Sequence, residues 1–136
     1  MNGGSMPNTD PFAPLRHRLS KLDQPIMLRV SSPAPGLAAA QATWDLLDQL
    51  LADQPMVSVQ PGGRQTVESV VVKITKNGHT GPISFWGTPS GFELEGLVYA
   101  LECLSGQVTP DLTEEQKALL RQISRPLAAD LYVAPT

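Results

Sequence analysis

A chain of 136 residues, 41% hydrophobic and 17% charged, has the length of one domain and can bury roughly two-thirds of the surface its unfolded form exposes. Thirteen Asp and Glu against ten Lys and Arg leave a net charge of −3, and no basic run stands out, which argues against nucleic acid as the main partner because phosphate neutralisation needs clustered cations. The single cysteine, Cys103, excludes an internal disulfide and suits a reducing compartment. No apolar stretch approaches the ~20 residues of a membrane span and no signal-peptide core opens the chain, so a cytoplasmic protein without a membrane partner is expected.

Residues 1–14, rich in Gly, Pro, Asn and Ser, read as a flexible leader. Leu15, Leu19 and Leu22 then fall on one side of a short amphipathic helix, with Arg16, Arg18 and Lys21 outside. In QPIMLRVSS, Ile26, Leu28 and Val30 alternate with Met27 and Arg29, the period of a strand. SSPAPG breaks it. Leu37, Ala40, Trp44, Leu47 and Leu51 repeat at helical spacing, with Asp45, Asp48 and Gln49 toward water. Pro55 stops that helix.

MVSVQ predicts a second short strand and PGGR a turn. VESVVVKIT predicts a longer strand, so rich in Val and Ile that a central position is expected. Asn77-Gly78 predicts a hairpin turn that returns the chain along GPISFW. After GTPSG a helix is expected with Leu94, Leu97, Val98, Leu101 and Leu104 inward. Thr113 and Gln116 have the capping-box spacing that opens one more helix, carrying Leu119, Leu120 and Ile123 on one side. Leu131-Tyr132-Val133 is a last β-prone run.

A βαβ unit followed by a hairpin and a helix predicts an α/β, thioredoxin-like fold: a four-stranded mixed sheet with helices on both faces, plus an extra C-terminal strand or tail. The crossover must be right-handed, which leaves few rival topologies. On this reading residues 15–125 form the domain, with 126–136 beyond it.

Thioredoxin-like folds carry Cys-x-x-Cys where the first strand enters the following helix, whose N-terminus stabilises the thiolate. Here that stretch is Ser31-Ser32-Pro33-Ala34-Pro35-Gly36, without a thiol, and a serine alkoxide is too basic to replace one. Cys103 reads as a small half-buried hydrophobe, with Glu102 beside it, rather than a redox-sensing thiol. His17 and His79 lack neighbours at ligand spacing, so no metal is expected. Gly62-Gly63 reads as a turn. Trp44 and Trp86 read as core or rim aromatics, with a docking surface around Trp86 and Phe92 as the alternative.

GTPSGFELEGL is the densest motif. Ser90 has the position of an N-cap, and Glu93 three residues on completes a capping box with the sign the helix dipole favours. The rival reading gives Glu93 to a neighbouring active site as a proton acceptor.

LSKLDQPIMLRVSS, VVVKITKNGHTGPISFWGTPSGFELEGLVYAL and LTEEQKALLRQI together resemble the N-terminal region of the flavoprotein (F) subunit of bacterial alkyl hydroperoxide reductase. They are also similar to the archaeal protein disulfide oxidoreductases, which share its two fused thioredoxin-like folds. The resemblance runs from about Leu15 to the C-terminus and is most specific at Gly87-x-Pro89-x-Gly91-x-Glu93. The family usually has histidine before that glutamate, and Phe92 departs from it.

The resemblance implies that the first fold is redox-silent, that the second bears the working Cys-x-x-Cys, and that 126–136 are a linker and the truncated first strand of that second fold. It implies that Glu93 lies close to the partner fold's thiols and assists proton transfer. LYVAPT then matches the strand that ends at the nucleophile; a designed cut, a natural one-fold version and an in-frame UGA encoding selenocysteine at position 137 are all compatible with a stop there. The implied partners are a second thioredoxin-like fold and a peroxiredoxin, with a homodimer left open. No cofactor is expected in this chain, FAD and NADH belonging only to a full reductase. The competing expectation is a self-sufficient interaction module that keeps the fold without the chemistry.

Overall fold

The computed structural model describes residues 10–33, 37–64, 69–76 and 79–131, with only the backbone of residues 63–64, 79–82 and 92. Its elements are α1 (Ala13–Leu19), β1 (Ile26–Ser32), α2 (Ala38–Leu50), β2 (Val57–Arg64), β3 (Val71–Lys76), β4 (His79–Trp86), α3 (Phe92–Leu104) and α4 (Glu114–Arg121). They form one four-stranded sheet in the order β2-β1-β3-β4. β1 runs parallel to β2 across the α2 crossover, and antiparallel pairs join β1 to β3 and β3 to β4. This is the expected mixed sheet, with the Val-rich β3 in its interior.

Alternation along the strands sorts the side chains onto two faces. Register places Leu28 beside Ile74 and Val59, and Val30 beside Val72, so these share a face with Ile26, Val57 and Val70. Leu19 and Leu22 at α1, Leu47 and Leu50 of α2, and Leu97, Val98 and Leu101 of α3 bury against that same set as one core. The helices are thus distributed unequally: α1, α2 and α3 share one face. The opposite face carries Met27, Arg29, Ser31, Ser58, Gln60, Val71, Lys73, Thr75, Ser84 and Trp86. Ser31, Val71 and Thr75 are buried there, whereas Arg29, Ser58, Gln60, Ser84 and Trp86 are exposed.

Local chemistry explains most boundaries. α1 begins two residues earlier than the leucine spacing suggested, with Pro14 in its first turn, where a missing N–H costs nothing. Asp10 accepts from the Phe12 N–H at 2.9 Å and pairs with Arg16 across that turn. In α2 the buried side is Ala40, Thr43, Leu47 and Leu50, with Trp44 and Leu51 half-buried beside it. The periodicity had missed Thr43 and Leu50.

Two expectations are corrected. PGGR is not a turn: β2 continues through Pro61 to Arg64, with a register irregularity opposite Val30 and Ser32. β2 is an edge strand, and a proline there sacrifices no ladder hydrogen bond on its open side. β3 starts at Val71, later than the β-prone run; Ser69 and Val70 precede it without strand geometry, and residues 65–68 lie outside the described residues. Lys76 pairs with His79 around Asn77-Gly78, so the hairpin is where it was expected, although those two residues are also outside.

α4 has the expected capping box: Thr113 Oγ1 accepts from the Gln116 N–H at 3.1 Å, and Gln116 Oε1 accepts from the Thr113 N–H at 2.9 Å. None of its residues is buried, however. Leu119, Leu120 and Ile123 are all exposed, as are Leu127 and Leu131 beyond it. Residues 126–131 have no regular structure, and Tyr132–Thr136 lie outside the described residues.

Candidate functional site

Three segments meet at the C-terminal end of β1, where thiol chemistry would sit in a fold of this kind. They are Ser31-Ser32-Pro33, the first turns of α2, and the loop Gly87–Gly91 between β4 and α3. The loop is tied back at two points. The Gly87 N–H donates to the Val70 carbonyl at 2.6 Å, and Thr88 Oγ1 lies 2.8 Å from Thr43 Oγ1 on α2. Thr43 Oγ1 in turn bonds the Ala39 carbonyl at 2.8 Å. Pro89 is buried beneath the loop.

At this convergence the chain presents hydroxyls and a carboxylate. Ser31 is buried, and its Oγ has no hydrogen-bond partner among the described residues. α2 starts at an extended Leu37 with no side-chain cap and no acid in its first turn. A helix start of this kind leaves the first peptide N–H groups without intrahelical partners. Glu93 is half-buried in the first turn of α3, with Glu95 near it. Its carboxylate makes no hydrogen bond or ion pair among the described residues, so it remains available to a neighbouring group.

The Ser90 cap is corrected. α3 is capped by Gly91, in a positive-φ conformation (φ 58°) that a side chain would strain. This moves the helix start one residue along. Ser90 is left exposed outside the helix, contributing its carbonyl to the Glu93 N–H at 3.1 Å, and no side-chain cap forms. Glu93 therefore does not close a capping box; its place in the first turn still matches the helix dipole.

Cys103 is far from this end. Ten residues of helix separate it from Glu93, about 15 Å along α3. It is half-buried, as expected, and hydrogen bonding with it is the main cause that holds the Tyr99 phenol above its ordinary range, burial adding to the effect. Its neighbour Glu102 is engaged elsewhere: Arg18 Nη2 of α1 donates to Glu102 Oε1 at 2.5 Å, and Arg18 reaches Glu95 at 3.5 Å. The guanidinium pKa is raised chiefly by the Glu102 hydrogen bond. Sequence reasoning missed this tie, because the partners are 84 positions apart.

His17 is exposed on the rim of an open cleft of about 440 Å³, with Arg16, Ser20, Leu50, Asp53 and Gln54. The side chain of His79 is outside the described residues. No group of three or more His, Cys, Asp or Glu fit to hold a metal occurs among the described residues. No helix among them is long and apolar enough to cross a membrane. Trp86, 60% exposed, stands on the sheet face opposite to that of α3, the helix that Phe92 opens.

No family model matches the chain, and no curated protein does. Solved structures do. A protein disulfide oxidoreductase from Aeropyrum pernix k1 superposes with a TM-score of 0.63 at 19% identity over 83% of this chain and 53% of that one. Sso1120 from Sulfolobus solfataricus superposes with a TM-score of 0.56 at 16% identity over 84% of this chain and 59% of that one. This chain thus spans little more than half the length of either neighbour. Its four-stranded mixed sheet with one crossover and one hairpin is a thioredoxin-like fold, similar to that of disulfide oxidoreductases.

Proposed function

We propose that this is a redox-silent thioredoxin-like domain, the N-terminal half of a two-fold thiol–disulfide oxidoreductase of the alkyl hydroperoxide reductase F type. The observation that carries the reading is the buried Ser31 hydroxyl at the end of β1, where a nucleophilic thiol would belong. Thiol–disulfide exchange needs a thiolate that attacks and a second sulfur that resolves the mixed disulfide. Cys103, about 15 Å away along α3, has no second cysteine in the chain to resolve with.

The domain's work is then to pack against a catalytic fold and present Glu93 beside its thiols, where the carboxylate takes up the proton of the attacking cysteine. The open Glu93 carboxylate, the exposed Leu127 and Leu131, and the greater length of the neighbours support this reading. With dithiothreitol as donor and insulin or a peroxiredoxin as acceptor, the 136-residue chain is expected to show no turnover. Catalysis above the rate of dithiothreitol alone would overturn it.

A second reading, a stand-alone interaction module, is favoured by one feature: the exposure of Trp86 on edge strand β4 in the same molecule as the exposed Leu119 and Leu120 of α4.

A further inference from the structure

β4 closes one edge of the sheet, and among the described residues β3 is its only strand neighbour. Register and one hydrogen bond fix which of its backbone groups are open. Val71 pairs with Trp86, Val72 with Phe85 and Lys73 with Ser84, and the Gly87 N–H donates to the Val70 carbonyl at 2.6 Å. Hydrogen-bonded and non-hydrogen-bonded pairs alternate along an antiparallel ladder. Val70 with Gly87 and Val72 with Phe85 are therefore the bonded pairs. Trp86 and Ser84 fall between them, so the N–H and C=O of both point away from β3, along the open edge. The register irregularity of this ladder lies beyond Lys73 and leaves these residues in step.

Unpaired backbone groups on an edge template association, and a charge, a proline or a bulge usually blunts them. The other edge, β2, carries Pro61 in mid-strand. On β4 the proline, Pro82, and the irregularity both precede Ser84, and Ile83-Ser84-Phe85-Trp86 holds no charge. Ser84 and Trp86 are exposed, while Ile83 and Phe85 are half-buried at the rim of the core. This open run is self-complementary in one register. Ser84 set opposite a second copy's Ser84 would bring Trp86 against Pro82, which has no N–H to give. Trp86 set opposite Trp86 would carry Ser84 past the strand end, toward Thr88, whose hydroxyl is held by Thr43. Ser84 set opposite Trp86 makes that pair twice, each time exchanging both N–H···O bonds.

We propose that two copies of this chain pair through β4, antiparallel, into one continuous sheet. Ser84 of each lies opposite Trp86 of the other, and Phe85 meets Phe85 on the two-fold axis. The contact is isologous and closes on itself. Phe85 with Phe85 is a non-hydrogen-bonded pair, the kind in which side chains approach most closely and an aromatic pair adds stability. On the other face, Trp86 Nε1 donates to Ser84 Oγ at 3.3 Å within the chain, and pairing sets a second Ser84 beside the same indole. An unrelated peptide would gain the backbone bonds but not these side-chain pairs. The contact is short, below the ~1,000 Å² of a stable interface, so a weak, concentration-dependent dimer is expected.

The proposal goes beyond the redox-silent reading and does not depend on it; the reductase assay tests that reading separately. Sedimentation velocity of the full chain at up to ~1 mM, with circular dichroism as the folding control, reads the dimer. Ser84→Pro removes an N–H that the β3 ladder does not use, and with it half of the bonds between copies. It should raise the dissociation constant about tenfold or more. Gln60→Lys, on the far edge, should leave it unchanged. Cross-linking reads the register independently, in a Cys103→Ala background. Phe85→Cys should oxidise to a disulfide-linked dimer, its Cα atoms about 4.5 Å apart. Ser84→Cys, about 9 Å from its copy, should not. A monomer at every concentration would overturn the proposal. So would a dimer indifferent to Ser84→Pro, or a folded Phe85→Cys variant that fails to cross-link.

Discussion

Gly62 on β2 lies against Ser31 on β1 so closely that a methyl carbon at Gly62 would stand 2.3 Å from Ser31 Oγ and 3.2 Å from the Cβ of Arg29. The contact falls where the β1–β2 register slips, between Val30 and Ser32. Glycine is needed there for close approach, since the strand that PGGR continues has no room for a side chain over Ser31. Gly62→Ala is expected to cost about 1–3 kcal/mol, the range for overpacking a tight site. Ser31→Ala alone should be near neutral or stabilising, because it removes a buried hydroxyl that has no partner among the described residues. Denaturant unfolding of the two single variants and the double should show Ser31→Ala recovering part of the Gly62→Ala loss. Strictly additive effects would place the clash elsewhere.

Arg18 and Glu102 tie α1 to α3, and the two ends are unequally exposed: the Glu102 side chain is 11% accessible and that of Arg18 31%. Removing the arginine strands a largely buried carboxylate, whereas removing the glutamate leaves a cation that reaches water. Breaking a fully buried pair costs about 3–5 kcal/mol; the exposure of Arg18 reduces this to about 1–3 kcal/mol for Arg18→Met. Glu102→Gln should cost less. Urea midpoints of both variants check the asymmetry, and equal losses would contradict it.

The capping box of α4 is local, and no residue of that helix enters the core. Thr113→Ala should therefore lower the helicity of α4, by a cap worth roughly 0.5–2 kcal/mol, without moving the midpoint of global unfolding. Hydrogen exchange of the Gln116 and Lys117 amides is the direct readout. A drop in global stability from Thr113→Ala would show that α4 is packed.

Two ionisations give pH signatures of opposite sign. The Arg16 guanidinium, and secondly the Phe12 N–H, hold the Asp10 carboxyl below its ordinary range. The start of α1 therefore gains stability that is present above an ordinary carboxylate value of about 4 and is lost as pH falls through the lowered folded value. Tyr99 is held above the ordinary phenol range by Cys103 first. Its contribution is present below about pH 10 and is lost as pH rises through the raised folded value. NMR titration should show the Asp10 shift abolished by Arg16→Gln and the Tyr99 shift reduced by Cys103→Ala. An unchanged Tyr99 titration in Cys103→Ala would remove the thiol as its cause.

Most of the sheet was legible because it rests on short-range rules. Ile26, Leu28 and Val30 alternate, Asn77-Gly78 marks the hairpin, and Leu94, Leu97, Val98 and Leu101 recur at helical spacing; all are buried where the pattern puts them, apart from the turn residues, which lie outside the described set. The capping box at Thr113 was readable for the same reason, its two partners being three residues apart. Misreadings occurred where distance in sequence and proximity in space diverge. PGGR looks like a turn until the sheet order shows it on an edge that tolerates proline. Ser90 looks like a cap until Gly91 takes the helix start.

The amino-acid order alone determined where the central part of each strand lies, which side of β1 is apolar, and that this chain has no pair of thiols, because those properties follow from the character of successive residues. Only the tertiary structure decided that three helices share one face of the sheet, that Arg18 meets Glu102, that Ser31 is enclosed over Gly62, and that Trp86 and α4 are left uncovered. Each of these depends on which strand edges pair and on how chain segments tens of residues apart are brought together. Long-range juxtaposition of that kind is set by the packing of the whole core rather than by any local period.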